Sequence, residues 1–236
     1  MFMRIWRKIK ALWHFYLSLP ATIYFNFKHF KFSQAIKLPV FLYYPRVIGN
    51  GKYIIEGPVK TGMIRMGFPY VSIYRRKGVS LENYGKITFR GSFKVGGDSG
   101  ISIGKTGHLI CGDEFGNSYG IKIVCYNKIE CGSRVRIGWG TLLCDTDLHR
   151  MKKADGSSYN KGYGSIRIDD EVWIGSYCKF YKNTYIPSRC TVASNTLLNK
   201  KIECEPYSLI YSDTQIKVKH TGFYRDIEDD DIDYND

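Results

Sequence analysis

Every sixth residue from Ile168 to Ile216 is apolar: Ile168, Ile174, Phe180, Ile186, Val192, Leu198, Cys204, Ile210 and Ile216. The residues two places before the second to eighth of these are small or β-branched: Val172, Cys178, Thr184, Cys190, Thr196, Ile202 and Ser208. Neither a helix, with period 3.6, nor a plain strand, with period 2, holds a strict six over that length. A fixed short period implies a stacked repeat, and a period of six implies a parallel β-helix. Each short strand then turns a corner every six residues. One large side chain per edge points into a narrow core, and a small one beside it fits the corner.

The same pattern reads backwards along the chain with interruptions. Cys125, Cys131, Ile137 and Leu143 keep the six, with Ile123, Ile129, Val135 and Thr141 two before them. Phe89 to Val95 is one earlier step, after which the spacing slips across Gly96–Gly100 and again across Gly112–Gly120. Those slips read as longer turns that glycine permits rather than as domain boundaries. Between Leu143 and Ile168 the phase breaks once, so an excursion from the coil is expected over residues 144–165. The expected organisation is one elongated domain. Residues 1–60 form a helix and an aromatic, basic cap, residues 61–220 the repeat, and residues 221–236 an acidic tail.

Residues 1–19 have helical spacing of Ile5, Ile9, Leu12, Trp13, Tyr16 and Leu19, with Arg4, Arg7, Lys8 and Lys10 in the first part and Pro20 as the expected end. Two readings stand: a helix lying on an anionic membrane face, or one packed on the domain or a sister subunit. A cleaved leader and a spanning helix are disfavoured. His14 and Pro20 interrupt the apolar run, and no clean small-residue cleavage site follows. In residues 20–60, Lys28, Lys31 and Lys37 are interleaved with Phe25, Phe27, Phe30 and Phe32. Such a segment suits the cap over the open end of a solenoid, or a place for a sugar chain to rest.

Charge narrows the partners. The net charge is +13, and the last eleven residues hold seven acids and no Lys or Arg, so the remainder carries +20. A body that basic seeks anionic partners. A nucleic-acid binder is disfavoured because the repeat leaves no helix to enter a groove. The seven cysteines include five on the two inward ladders, and none shows C-x₂-C spacing, so they read as small buried hydrophobes in a reducing, cytoplasmic setting. Five histidines without a close pair argue against a metal centre.

The excursion opens with Cys144-Asp145-Thr146-Asp147-Leu148-His149. If that stretch is extended, Asp145, Asp147 and His149 project to one side. A carboxylate beside an imidazole fixes its tautomer and raises its basicity, which suits a general base working on a hydroxyl. A solvated polar loop with an incidental histidine is the competing reading. Tyr159, Tyr163, Lys152 and Lys153 are further candidate contacts for an acceptor.

Val172-Trp173-Ile174-Gly175 followed by the six-residue ladder resembles the left-handed β-helix acyltransferases, the hexapeptide-repeat O-acetyltransferases of the galactoside and maltose acetyltransferase type. The Asp-Thr-Asp-Leu-His segment resembles their catalytic histidine motif, and the match spans about residues 85–220. The first third of the chain resembles extensions of members that act on surface polysaccharides. The resemblance implies an all-β fold, a left-handed parallel β-helix with an N-terminal amphipathic helix. It implies a homotrimer with active sites between subunits and acetyl-CoA as co-substrate, without a metal. His149 would be the base that deprotonates the acceptor hydroxyl, oriented by Asp147 and Asp145. Ser176 and Ser194 would meet the pantetheine arm, and Asn199, Lys200 and Lys217 the nucleotide end. Ser176 and Ser194 are eighteen residues apart, as are Asn199 and Lys217; eighteen is three hexapeptides, one full turn in this family, so the resemblance implies that each pair stacks. Two corners depart from the family pattern: Ala193-Ser194-Asn195, and Ser212-Asp213-Thr214-Gln215.

The expected function is acetyl transfer from acetyl-CoA to a sugar hydroxyl of a surface or capsular polysaccharide or its precursor. N-acetylation of an amino sugar or nucleotide sugar is the alternative. A non-catalytic scaffold or glycan-binding module is a third reading. Location is expected to be cytoplasmic, with peripheral contact to the inner membrane face through residues 1–19.

Overall fold

A computed structural model describes residues 2–75, 77–212 and 223–225, with side chains for 16–75 and 77–212. The repeat is a prism with three faces, each a parallel sheet in which every strand pairs with its counterpart in the next coil. Among the described residues face 1 has eight strands beginning at Val40–Leu42, face 2 has seven beginning at Pro45–Ile48, and face 3 has six beginning at Lys52–Ile55. The expected class, a parallel β-helix of six-residue edges behind an N-terminal helix, is the fold found.

The number of residues per coil explains where the period is strict. On face 1, Trp173 pairs with Thr191 and Thr191 with Leu209, at eighteen residues per coil. Earlier on that face Lys94 pairs with Gly116 and Gly116 with Arg136, at 22 and 20 residues. The slips in the sequence are therefore longer strands in wider coils. Wider coils need larger fillers, and Phe89, Phe93 and Phe115 supply them, with the Phe93 and Phe115 rings stacked 5.0 Å apart. The narrow coils are filled by Ile174, Val192, Cys178 and Cys190. Their corners recur every six residues with positive φ at Glu171, Tyr177, Asn183, Arg189 and Asn195. All seven cysteines are free, six of them buried.

Two boundaries differ from the sequence expectation. The first coil starts at Val40 rather than after residue 60, because its wide edges hide the six-residue period. The helix α1 runs Phe2–His29 and does not stop at Pro20. A proline inside a helix costs about 3 kcal/mol. Here the residues on both sides of Pro20 are fastened to one strand and its continuation, which carries the helix through it. Ser18 Oγ accepts the Tyr44 N–H at 3.0 Å, and Thr22 Oγ1 accepts the Leu42 N–H at 3.1 Å. Asn26 accepts the Val40 N–H at 3.1 Å and donates to the Val40 carbonyl at 2.7 Å.

These residues stand four apart, so one helix stripe supplies the partners a neighbouring strand would have given. The aromatic segment packs against the first coil: Phe25 and Phe30 are buried, and Phe25 meets Tyr53 at 4.9 Å. A short helix α2, Phe32–Ala35, completes it by burying Ala35. Asn26→Leu is expected to leave a buried N–H and carbonyl of Val40 unpaired and to cost about 2–4 kcal/mol in denaturant unfolding.

Ile216, Lys217, His220 and the acidic tail, residues 226–236, lie outside the described residues.

Candidate functional site

His149 rises where face 2 turns into face 3. Face 2 ends its fifth coil at Leu142–Cys144, and face 3 resumes at Ile166–Ile168. Between them the excursion folds as a closed arm. At its base the Gly164 N–H donates to the Asp145 carbonyl at 2.9 Å, Thr146 bridges Tyr163, and the Asp147 N–H donates to Gly162 O at 2.6 Å. Further out the chain turns at Asp155–Gly156, with the Tyr159 N–H returning to Met151 O at 2.8 Å. The strand Met151–Lys153 also pairs antiparallel with Phe223–Arg225, so a segment from the end of the chain lies along the arm.

The Asp145 carboxylate is engaged by backbone groups of the preceding coil. The residue is fully buried, and its two carboxylate oxygens accept the N–H groups of Tyr126 at 2.7 Å and Asn127 at 2.8 Å. Burial pushes its pKa up against the opposing pull of those N–H groups. The orienting role expected of Asp145 is therefore corrected: it nails the base of the arm to the corner of the preceding coil. Asp147 is exposed, and its carboxylate takes the Lys182 ammonium. The expected single-sided row of Asp145, Asp147 and His149 is not found: Asp145 is buried and Asp147 exposed, and the run then breaks before His149. Leu148 has φ of 62°, a left-handed turn that ends the extended run before His149. His149 itself is half-buried at that turn.

Lys182 carries no motif in the sequence. Once the coil register is known it is placed: Cys144 pairs with Tyr181, which puts Lys182 beneath the start of the excursion. The same corner, two coils further on from the excursion, carries Asn199 and Lys200, both exposed, and the Lys200 carbonyl accepts the Tyr185 N–H at 3.4 Å. Arg150, Lys152, Lys153 and Lys161 add positive charge along the arm, the last with its ammonium 5.5 Å from the Tyr163 ring.

Ser176 and Ser194 stand at the other edge of face 2, where face 1 turns into it. They stack as the spacing implied: Ser194 Oγ accepts the Ser176 N–H at 3.1 Å, and Ser176 Oγ accepts the Trp139 N–H at 3.2 Å. Gly138 and Gly175 leave room for this stack, since a Cβ on either would sit 2.5 Å from the N of Ser176 or Ser194. A loop between the Ile64–Phe68 and Val79–Asn83 strands folds over the column's start. Its Tyr74 stacks on Tyr119 at 3.9 Å, and its hydroxyl lies 2.9 Å from that of Tyr177. Within one chain, then, Asn199 and Lys200 share a corner with His149, while the serines lie across the width of face 2. A separate cavity of 720 Å³ lies on face 1, lined by Lys94, Gly116, Arg136 and Trp173 among others, away from the His149 corner. Among the described residues no group of three or more His, Cys, Asp or Glu is gathered as a metal site.

No protein-family description matches the chain, and no curated protein aligns with it. Among solved structures it is similar to the polySia-specific acetyltransferase NeuO, at 14% identity over 67% of this chain and 79% of that one, with a TM-score of 0.39. It is also similar to a point mutant of AntD, an N-acyltransferase from Bacillus cereus, in complex with dTDP and coenzyme A. That match has 15% identity over 74% of this chain and 83% of that one, with a TM-score of 0.32.

Proposed function

We propose that the protein is an acyltransferase that moves an acetyl group from acetyl-CoA to a hydroxyl of a carbohydrate, of the surface or capsular polysaccharide kind or its precursor. One observation carries this reading. The long departure from the eighteen-residue coil is spent on a fastened arm that presents a half-buried histidine at a prism corner. Around it lie cations suited to phosphate groups. A merely solvated loop would not need a buried carboxylate, a three-rung base and an ion pair to the next coil.

In this reading the His149 imidazole takes the proton of the acceptor hydroxyl, and the oxygen attacks the thioester carbonyl. The carbon–sulfur bond breaks, the acetyl ester forms, and the departing thiolate recovers the proton from the imidazolium. Asp147 and Lys182 hold the approach to the turn by their pairing. Asn199, Lys200 and Lys217 would meet the phosphates of acetyl-CoA, and the Ser176–Ser194 column its pantetheine arm. Because the serine column and the histidine lie on different edges of one chain, the reading takes the working unit to be a homotrimer. There the serine edge of one copy faces the histidine corner of the next. Tyr159, Tyr163, Lys152 and Lys153 on the arm would meet the acceptor, and the setting would be cytoplasmic.

Incubation with acetyl-CoA and a panel of oligosaccharides, followed by free-thiol detection and product analysis, tests the reading. The expected product loses its acetyl group in mild alkali, as an ester does. An alkali-stable amide on an amino sugar would move the assignment to N-acetylation. No thiol release with any carbohydrate would leave the fold without this activity.

A further inference from the structure

Over residues 16–29 the stripe of α1 that faces the prism is spent on the first strand, and large apolar side chains lie on the opposite side. Leu17, Ile23, Tyr24 and Phe27 lie there at 41 to 67% exposure. The patch continues onto α2 through Phe32 at 72% and Ile36 at 55%, with the Phe27 and Phe32 rings 6.0 Å apart. Large apolar side chains gathered on one surface mark a site of contact.

Charge identifies what fits there. The first acid in the chain is Glu56, and the 55 residues before it hold nine Lys and Arg. Lys28 and Lys31 flank the patch, with the Lys28 ammonium 5.5 Å from the Tyr24 ring. Arg4, Arg7, Lys8 and Lys10 precede it in the sequence together with Trp6 and Trp13. A second copy laid on this face would set one acid-free segment against another, and like charges facing each other are unfavourable. An anionic bilayer answers both features. Its headgroups take the lysines, and its upper acyl region takes Leu17, Ile23 and Phe27. Tyrosine and tryptophan, apolar with a polar tip, suit the boundary between the two. Among the described residues no helix is long and apolar enough to cross a membrane.

We propose that the outer face of α1, extended by α2, seats the protein on an anionic lipid bilayer, with the helix lying in the plane of the surface. The prism then stands with its first coil nearest the lipid. The coil that bears His149 is four strand spacings further out on face 2, about 20 Å at roughly 4.8 Å per step.

The test is sedimentation of the full chain with vesicles of phosphatidylcholine alone or mixed with phosphatidylglycerol. Binding is expected to the mixed vesicles, to weaken as salt is raised, and to be at least about tenfold weaker for neutral vesicles. The triple variant Leu17→Glu, Ile23→Glu, Phe27→Glu is expected to lose binding while its circular dichroism and melting temperature are kept. The pair Lys28→Glu, Lys31→Glu changes surface positions only and is expected to weaken anionic binding about tenfold or more. Equal binding of both variants and the native protein to mixed vesicles would overturn the proposal. So would a drop in the mass of the lipid-free assembly for the triple variant with vesicle binding intact, which would assign the face to a second copy.

Discussion

Replacing His149 with alanine is expected to lower the rate of acetyl transfer about 10²–10⁴-fold, the range for removing a general base. At 25 °C that is about 3–5 kcal/mol of barrier. The loss should appear in kcat and leave the KM for acetyl-CoA nearly unchanged, since the imidazole acts on the acceptor proton rather than on the donor's phosphates. Folding should be spared. His149 sits half-buried at a turn of the arm, outside both inward ladders, and its loss opens no core cavity. A change within about 0.5 kcal/mol is the ordinary cost at such a site. Steady-state rates and a melting curve on the same preparation check both halves. Native activity in the variant would remove His149 from the chemistry. A collapse of the melting temperature would instead make it a packing residue.

Asp145→Ala is expected to act in the opposite manner, through the fold of the arm. The carboxylate satisfies two corner N–H groups from a fully buried position, and alanine offers them no acceptor. Their loss should cost about 1–3 kcal/mol, or about 2–12 °C in melting temperature for a chain of this size. Asparagine should not rescue it, because one of its two terminal atoms is itself a donor and would face a donor.

The pH dependence has a definite sign. Burial raises the folded-state pKa of Asp145 above its ordinary value of 3.8. In the window between the unfolded and folded values the folded state holds the extra proton, so stability falls as pH rises through that window. The stabilisation from this group is fully present below about 3.8. The gap between native protein and Asp145→Ala should therefore be widest in acid and narrower at neutral pH. A gap that grows with pH would show that the N–H groups outweigh desolvation. Activity should fall with the alanine change as well, but be regained on cooling, whereas the His149 variant stays inactive at any temperature.

The two substitutions separate roles that look alike in the sequence. Asp145, Asp147 and His149 alternate, and alternation alone places them on one side. Burial of Asp145 separates it from the exposed Asp147, and one left-handed residue, Leu148, breaks the alternation again before His149. A positive φ at leucine is costly and carries no sequence signal, so nothing in the residue types announces it. Lys182 is silent for another reason. It lies 35 residues from Asp147, and only the coil register brings the two together. The end of α1 is illegible because Pro20 is a local stop signal, while the fastening of Ser18, Thr22 and Asn26 to a strand up to 26 residues away is not local.

The prism from Cys125 onward is written in the residue pattern alone. A six-residue alternation of large and small inward side chains has one stacked solution, and the excursion shows as a break in its phase. The stack of Ser176 on Ser194 follows from the same arithmetic. The start of the prism at Val40, the burial of Asp145, the turn at Leu148 and the pairing of Asp147 with Lys182 come instead from the folded coordinates. Each depends on how many residues fill a wide coil or a long corner. That number is set by packing between coils, where large rings such as Phe93 and Phe115 replace the regular step, and not by any pattern along the chain.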